Sequence, residues 1–433
     1  MNIRLYNARI LTMEKGRPVF RGEIWVKNDK IVCVAEQNEL QSEWKSDFPK
    51  ISWDIEMDCR DNLLMPGFKD AHTHSAMTFL RSYADDVPLQ TWLNEKVFPM
   101  EAKLTGEDIY ELTKLAVLEY LTSGITSIFE MYLTPDTIAE ACIDMGMRCV
   151  LTGGLNNFSS SPEQMEEEYL KWNKQNPLIS YQLGFHAEYT CSKELIYRVA
   201  QLAHKYHAPV YTHLAETRKE VEECKARYGM TPAMFLDTMG VFEFGGGGYH
   251  CVHMTDEDME VFRRRRMYAI TNPASNLKLA SGIAPIADFE KKKIPVAIGT
   301  DGPASNNCLD MFREMFLVSG LSKYREEDAA SLDAMRVLRM ATVHGAKAMR
   351  LNKADVLAKG KLADIIMIDL HQPNMQPIHN IPKNLVYSGS KSNVLMTMIN
   401  GKILYRNGEF NVGESPEEIY AKCDRIVKRI INA

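Results

Sequence analysis

Between residues 61 and 354, short apolar strand-like runs alternate with amphipathic helical stretches. This alternation limits the possible folds more than any other feature of the chain. The runs lie at 126–131, 148–153, 181–186, 209–213, 248–253, 267–271 and 295–301, after a first one that begins at Leu63 and ends at His72 and His74. Helical patterns such as 106–123 and 193–207 separate most of them. Strands with a helix between them run parallel, because the helix is the crossover that a parallel connection needs. Eight such strands over about 290 residues predict a closed (β/α)8 barrel of the TIM type, in the α/β class.

The chain ends read differently. Strand-like runs at 3–12, 22–27 and 30–35 precede the alternation, the last two joined at the turn-forming pair Asn28-Asp29. After it come 363–369 and 394–400, then Asn400-Gly401, a strong hairpin signal, and 402–406. Asn407-Gly408 follows, and a helix from about residue 415 closes the chain. The expectation is a small composite β-sandwich domain from 1–60 and 355–433, beside a barrel domain of 61–354.

Composition narrows the function. At 433 residues, 45% hydrophobic and 25% charged, the chain has the make-up of a soluble globular protein. Its net charge of −6 offers no basic stripe for nucleic acid. The run Arg263-Arg264-Arg265-Arg266 falls in a helical pattern starting near Asp256 and reads as a solvated helix face. No apolar run reaches the roughly 18 residues of a membrane span, and Met1-Asn2-Ile3-Arg4-Leu5 lacks the apolar core of a signal peptide. Nine cysteines without a C-x-x-C pair read as small core residues of a reduced, cytoplasmic protein. The expected partner is a small molecule, with neither nucleic acid nor membrane; a homo-oligomer is left open.

Barrel enzymes carry their chemistry at the C-terminal ends of the strands. His72 and His74 end the first run, His186 the fourth and His213 the fifth; His250 and His253 lie in the sixth, and Asp301 ends the eighth. One such histidine would read as a satisfied core residue, but so many chemistry-bearing strand ends form a set. His204, His207, His344, His371 and His379 fall in helices or loops and read as structural. Residues i and i+2 of a strand share a face, so His72 and His74 point together. With His213 and Asp301 they could converge on the barrel axis as ligands of a divalent metal, Zn2+ first, with Fe2+ or Mn2+ as alternatives. Water on such a metal is a nucleophile near neutral pH. Two-metal versions of such sites are commonly bridged from the fourth strand, often by lysine. Here that strand ends in His186 with no lysine in it, so one metal per chain is expected.

Five stretches together resemble the amidohydrolase superfamily. Pro66-Gly67-Phe68-x-Asp70-Ala71-His72-x-His74 is similar to its first-strand signature. The other four are His213-Leu214-Ala215-Glu216-Thr217, His250-Cys251-Val252-His253, Asn272-Pro273-Ala274-Ser275-Asn276-Leu277-Lys278-Leu279 and Gly299-Thr300-Asp301-Gly302. These resemble the methylthioadenosine/S-adenosylhomocysteine deaminase group. The resemblance implies metal-dependent hydrolytic deamination of an adenosine-type nucleoside (5′-methylthioadenosine, S-adenosylhomocysteine, adenosine or 5′-deoxyadenosine) to the inosine analogue and ammonia. On that chemistry Glu216 gives a proton to the ring nitrogen, His250 orients the attacking hydroxide, and Asp301, ligand and base together, passes a proton to leaving ammonia. The resemblance further implies that Trp92 lines the nucleoside pocket, Glu101 holds the ribose hydroxyls, His186 bonds the purine and Arg148 meets the substrate tail. One departure stands out: a second arginine, which group members use on a charged tail, has no counterpart in residues 156–162. Another deaminase or hydrolase of an N-heterocycle (pterin, guanine, cytosine or s-triazine) would share the same ligands, and a non-catalytic barrel scaffold is the remote alternative.

Overall fold

The computed structural model describes residues 1–37, 52–87 and 91–432. Eight parallel strands stand in sequence order around the barrel: β6 (Phe68–Thr73), β7 (Ile125–Glu130), β8 (Arg148–Thr152), β9 (Ile179–Ala187), β10 (Val210–Leu214), β11 (Gly246–His250), β12 (Tyr268–Thr271) and β13 (Val296–Ile298). Nearly every strand residue is buried, as expected of parallel strands covered by helices. The helices begin where the sequence offers caps. Gly106–Thr122 starts with a reciprocal capping box between Thr105 and Asp108, and Lys193–Tyr206 starts with Ser192 accepting from the Leu195 amide. β11 opens with three glycines because it lies hard against β10: a Cβ on Gly246 would sit 1.9 Å from the Val210 carbonyl oxygen. The barrel interior is filled by a separate apolar cluster that includes Ala71, Phe129, Val150, Tyr211, Tyr249 and Ile270, so it is a packed core and not a pore.

No backbone ladder joins β13 to β6 among the described residues. Side chain and loop close that seam instead. The buried Asp70 carboxylate accepts from the Thr300 amide (2.8 Å) and the Thr300 hydroxyl (2.6 Å), and the Asp301 amide donates to the His72 carbonyl (2.9 Å). The seam therefore fixes two of the expected metal ligands against each other.

Among the described residues, both chain ends build one mixed sheet of nine strands. Its members are β1 (Asn2–Ile10), β2 (Phe20–Lys27), β3 (Lys30–Glu36), β4 (Ile55–Asp58), β5 (Leu63–Pro66), β14 (Ile365–Ile368), β15 (Val394–Ile399), β16 (Lys402–Arg406) and β17 (Glu409–Phe410). The turns at Asn28-Asp29 and Asn400-Gly401 are the expected hairpins; Asn28, Asn400 and Gly401 have positive φ, as such turns demand. β5 pairs with β1 and β14, so the chain crosses from sheet to barrel at Gly67, where a Cβ would lie 2.1 Å from the Thr126 side chain. The closing helix Pro416–Asn432 docks on Gly106–Thr122, with Lys422 paired to Glu111 (2.9 Å) and Arg429 to Asp108. Eight of the nine cysteines are buried, all but Cys308. Among the described residues no helix is long and apolar enough to cross a membrane.

Candidate metal centre

The strand ends β6, β10, β11 and the turn after β13 bring their side chains to one point. His72 is fully buried, its ring stacked on Tyr249 with centroids 3.8 Å apart, and neither ring nitrogen has a hydrogen-bond partner. Leaving a buried polar group unpartnered costs about 1–3 kcal/mol, a penalty that a cation on one nitrogen removes. The neighbouring imidazoles are turned the same way. His74 gives its Nδ1–H to the Met131 carbonyl and His213 gives its own to the His186 carbonyl (2.7 Å), which turns both Nε2 atoms inward. Asp301 Oδ1 lies 3.2 Å from His74 Nε2 and 3.6 Å from His72 Nε2. The donor atoms of His72, His74 and Asp301 lie within 4.8 Å of one another, and so do those of His72, His213 and His250. Neutral imidazoles with one carboxylate are the donor set of a divalent metal ion.

Electrostatics divide the three imidazoles. Burial, seconded by the neighbouring imidazoles, pushes His72 and His213 well below the usual histidine value, so both are neutral, the form a metal takes. Burial alone would raise Asp301. The contact with His74 and the nearby His250 and His72 rings overcome it and hold the carboxyl well below the usual range. Burial alone would lower His74, but its hydrogen bond to Asp301 and that carboxylate's charge lift it to about 9. In the absence of a metal His74 Nε2 therefore carries the proton that metal binding displaces.

The second oxygen of Asp301 is held by two serines, Ser275 Oγ at 2.6 Å and Ser305 Oγ at 2.9 Å. These belong to two copies of one tetrapeptide, Pro273-Ala274-Ser275-Asn276 and Pro303-Ala304-Ser305-Asn306, which open the short helices after β12 and β13. Glu314, fully buried on helix Met311–Glu326, clamps both: its carboxylate accepts from the Ala274 amide (3.1 Å) and from Asn306 Nδ2 (2.9 Å). Sequence reasoning gave no role to these serines, to Glu314 or to Asp70. The repeated tetrapeptide was the available signal for the serines; only the fold reveals Glu314.

His250 and Glu216 flank the cluster. Asn276 Oδ1 lies 2.8 Å from His250 Nδ1 and can only accept, so Nδ1 carries the hydrogen and Nε2 a lone pair, 3.9 Å from Glu216 Oε2. Ser281 Oγ reaches Glu216 Oε1 at 3.3 Å. His253, grouped with His250 by the sequence, turns away to the Ser281 carbonyl (2.8 Å). Ala215, His250, Cys251 and Asp301 all have positive φ. Left-handed backbone at such residues costs on the order of 1 kcal/mol each, and its clustering at one mouth marks a working site.

Of the four expected substrate contacts, two lie at this cluster. The His186 ring is 4.8 Å from that of His213, with Nδ1 3.0 Å from Thr190 Oγ1, and burial pulls its pKa down to about 4. Glu101, at the end of the short helix Phe98–Glu101, lies beside Tyr132 and His74; burial raises its pKa and those two neighbours draw it back. Trp92 is 6% exposed and belongs to the main apolar core. Arg148 is a correction. It begins β8 at the N-terminal end of the barrel, opposite the metal centre, and is buried in a bidentate pair with Asp364 (2.7 and 3.0 Å). Its remaining donors reach the Pro177 carbonyl and Asn400 Oδ1. It joins the barrel to the terminal sheet and cannot meet a substrate tail.

A barrel with this cluster at its mouth has the build of a metal-centred hydrolase. A family model described as the amidohydrolase family matches residues 63–404, and the chain belongs to that family. It is 36% identical to a 5-methylthioadenosine/S-adenosylhomocysteine deaminase of Caldanaerobacter subterraneus subsp. tengcongensis, covering 100% of this chain and 99% of that one. It is 38% identical, over 100% and 99%, to a protein of the same description from Pelotomaculum thermopropionicum. Among solved structures, a zinc-bound adenosine deaminase from Xanthomonas campestris superposes with a TM-score of 0.92 at 31% identity, covering 100% of this chain and 98% of that one.

Proposed function

We propose that the protein hydrolytically deaminates adenosine-type nucleosides at a single zinc site made by His72, His74, His213 and Asp301. The observation that carries this is the placement of Glu216 against His250 beside a buried, unpartnered His72. The full-length relatives named as deaminases support it. A zinc ion there supplies a Lewis acid that makes water nucleophilic near neutral pH. The chain's own groups do the rest. The His250 Nε2 lone pair accepts the O–H of the incoming water and aims it at the amine-bearing ring carbon. Glu216 delivers a proton to the adjacent ring nitrogen, so that charge does not build on the ring as the C–O bond forms. Asp301 takes the first proton that water loses and returns it to the departing nitrogen, which leaves as ammonia when the C–N bond breaks. The remaining hydroxyl proton goes back to Glu216 as the ring carbonyl forms, which restores the acid. The two serines keep that carboxylate in place through the exchange. Glu101 accepts from the ribose hydroxyls, His186 bonds the purine, and Trp92 backs the pocket wall.

The tail is read from what Arg148 does instead. With that guanidinium held by Asp364 and residues 156–162 free of basic side chains, an amino-acid carboxylate loses its expected partners. Nucleosides with an uncharged 5′ end (5′-methylthioadenosine, adenosine, 5′-deoxyadenosine) are therefore the preferred class. Ammonia release from these, from S-adenosylhomocysteine and from free bases, pterins and triazines tests the proposal. The expected order places uncharged nucleosides about tenfold or more ahead of S-adenosylhomocysteine in kcat/KM, the size of one charge-assisted contact. Release from guanine, a pterin or a triazine but from no nucleoside would overturn the activity. S-adenosylhomocysteine in first place would overturn the tail assignment alone.

A further inference from the structure

A second cavity, of about 510 Å³, opens at the far end of the barrel from the metal centre, where β10, β11 and β12 begin. Its size falls in the range of small-molecule sites, roughly 300–1,000 Å³. Its wall is basic. Arg264, Arg265 and Arg266 come from the end of helix Asp256–Arg265, and Lys347 and Arg350 from helix Gly345–Ala348 and the residues just past it. Three of the four arginines read from the sequence as a solvated face thus line a concavity, while Arg263 stays on the outer face with Glu260.

Pairing divides these cations into two sets. Arg264 and Arg265 share Asp237, and Arg265 also holds Glu243 at 2.7 Å. Arg266, Lys347 and Arg350 are exposed, and among the described residues none of them has an acidic partner. In a chain of net charge −6, three unpaired cations around one hollow concentrate positive field there, and a concave wall focuses it. Guanidinium forks match phosphate oxygens in pairs. Phe244, whose ring packs on His207, and Tyr268 complete the lining.

We propose that this cavity binds a small anion carrying two linked phosphate groups, inorganic pyrophosphate or a nucleoside diphosphate, at a site separate from the metal centre. Two phosphates bring about three to four negative charges, which match the three unpaired cations. The proposal does not depend on which substrate the metal centre takes.

Isothermal titration of the metal-loaded full chain with pyrophosphate, with ADP, and with sulfate at matched ionic strength tests it. The expected result is one-to-one binding of a diphosphate with a Kd below about 1 mM, weakened by added salt. The Arg266→Ala/Arg350→Ala variant, altered at two exposed positions, should lose that binding at least tenfold while keeping its metal content and its ammonia release. ADP binding tighter than pyrophosphate means that the nucleoside rests on the Phe244–Tyr268 wall; equal binding means that the diphosphate alone is recognised. The proposal is overturned by an absence of heat at millimolar diphosphate, by equal binding of sulfate, or by binding that the double variant leaves unchanged.

Discussion

Glu216 Oε2 stands 3.9 Å from His250 Nε2, on the turn that follows β10 and its proposed ligand His213. That position makes a sharp prediction. Glu216→Gln keeps the size and the Ser281 contact but removes the transferable proton. It should lower kcat by roughly a hundredfold or more, the usual size of a general acid–base contribution, with metal content and thermal unfolding unchanged. Near-normal turnover would remove Glu216 from the mechanism. The clustering of His72, His74, His213 and Asp301 was legible in the sequence because chemistry and position coincide, a histidine or aspartate closing an apolar run having few other reasons to be there. Glu216 closes no run and entered only through the family resemblance. Arg148 was not legible. A guanidinium at the start of a strand looks the same in sequence whether it meets a carboxylate of a ligand or one of the fold, and Asp364 lies 216 residues away.

The elements that hold Asp301 are the two short helices opened by the repeated Pro-Ala-Ser-Asn. Each proline begins its helix, where its missing N–H costs nothing, and each serine two residues later reaches Asp301 Oδ2. Glu314 accepts from both segments, one through each carboxylate oxygen. Glu314→Gln replaces one acceptor with a donor facing a donor, so one segment must loosen. A buried mismatch of about 1–3 kcal/mol predicts roughly a tenfold loss of metal affinity in a chelator competition, with the fold retained. Unchanged affinity would mean that the serine turns hold themselves. The strands and helices themselves were readable from the alternation of apolar and amphipathic runs, yet β13 is shorter than the 295–301 run suggests. Its last residues leave the ladder to carry Thr300 against Asp70 and Asp301 toward His72 and His74.

At the scale of the molecule, the terminal sheet and the barrel are joined by buried charge. Arg148 from β8 and Asp364, just before β14, pair at 2.7 Å, and Lys69 from β6 is fully buried nearby, donating to the Gly67 carbonyl (2.9 Å) and Thr126 Oγ1 (2.7 Å). Arg148→Met leaves Asp364 buried and unpaired, and should cost about 3–5 kcal/mol of stability in denaturant unfolding. The ratio of kcat/KM between 5′-methylthioadenosine and S-adenosylhomocysteine should not change. A changed ratio with unchanged stability would return Arg148 to the substrate. Zinc titration of the metal-stripped protein, following ammonia release from 5′-methylthioadenosine, tests the central claim most directly. Activity should be absent in the stripped protein, rise linearly and level off at one equivalent of metal per chain. Full activity without metal, or a break at two equivalents, would contradict a single centre made by His72, His74, His213 and Asp301.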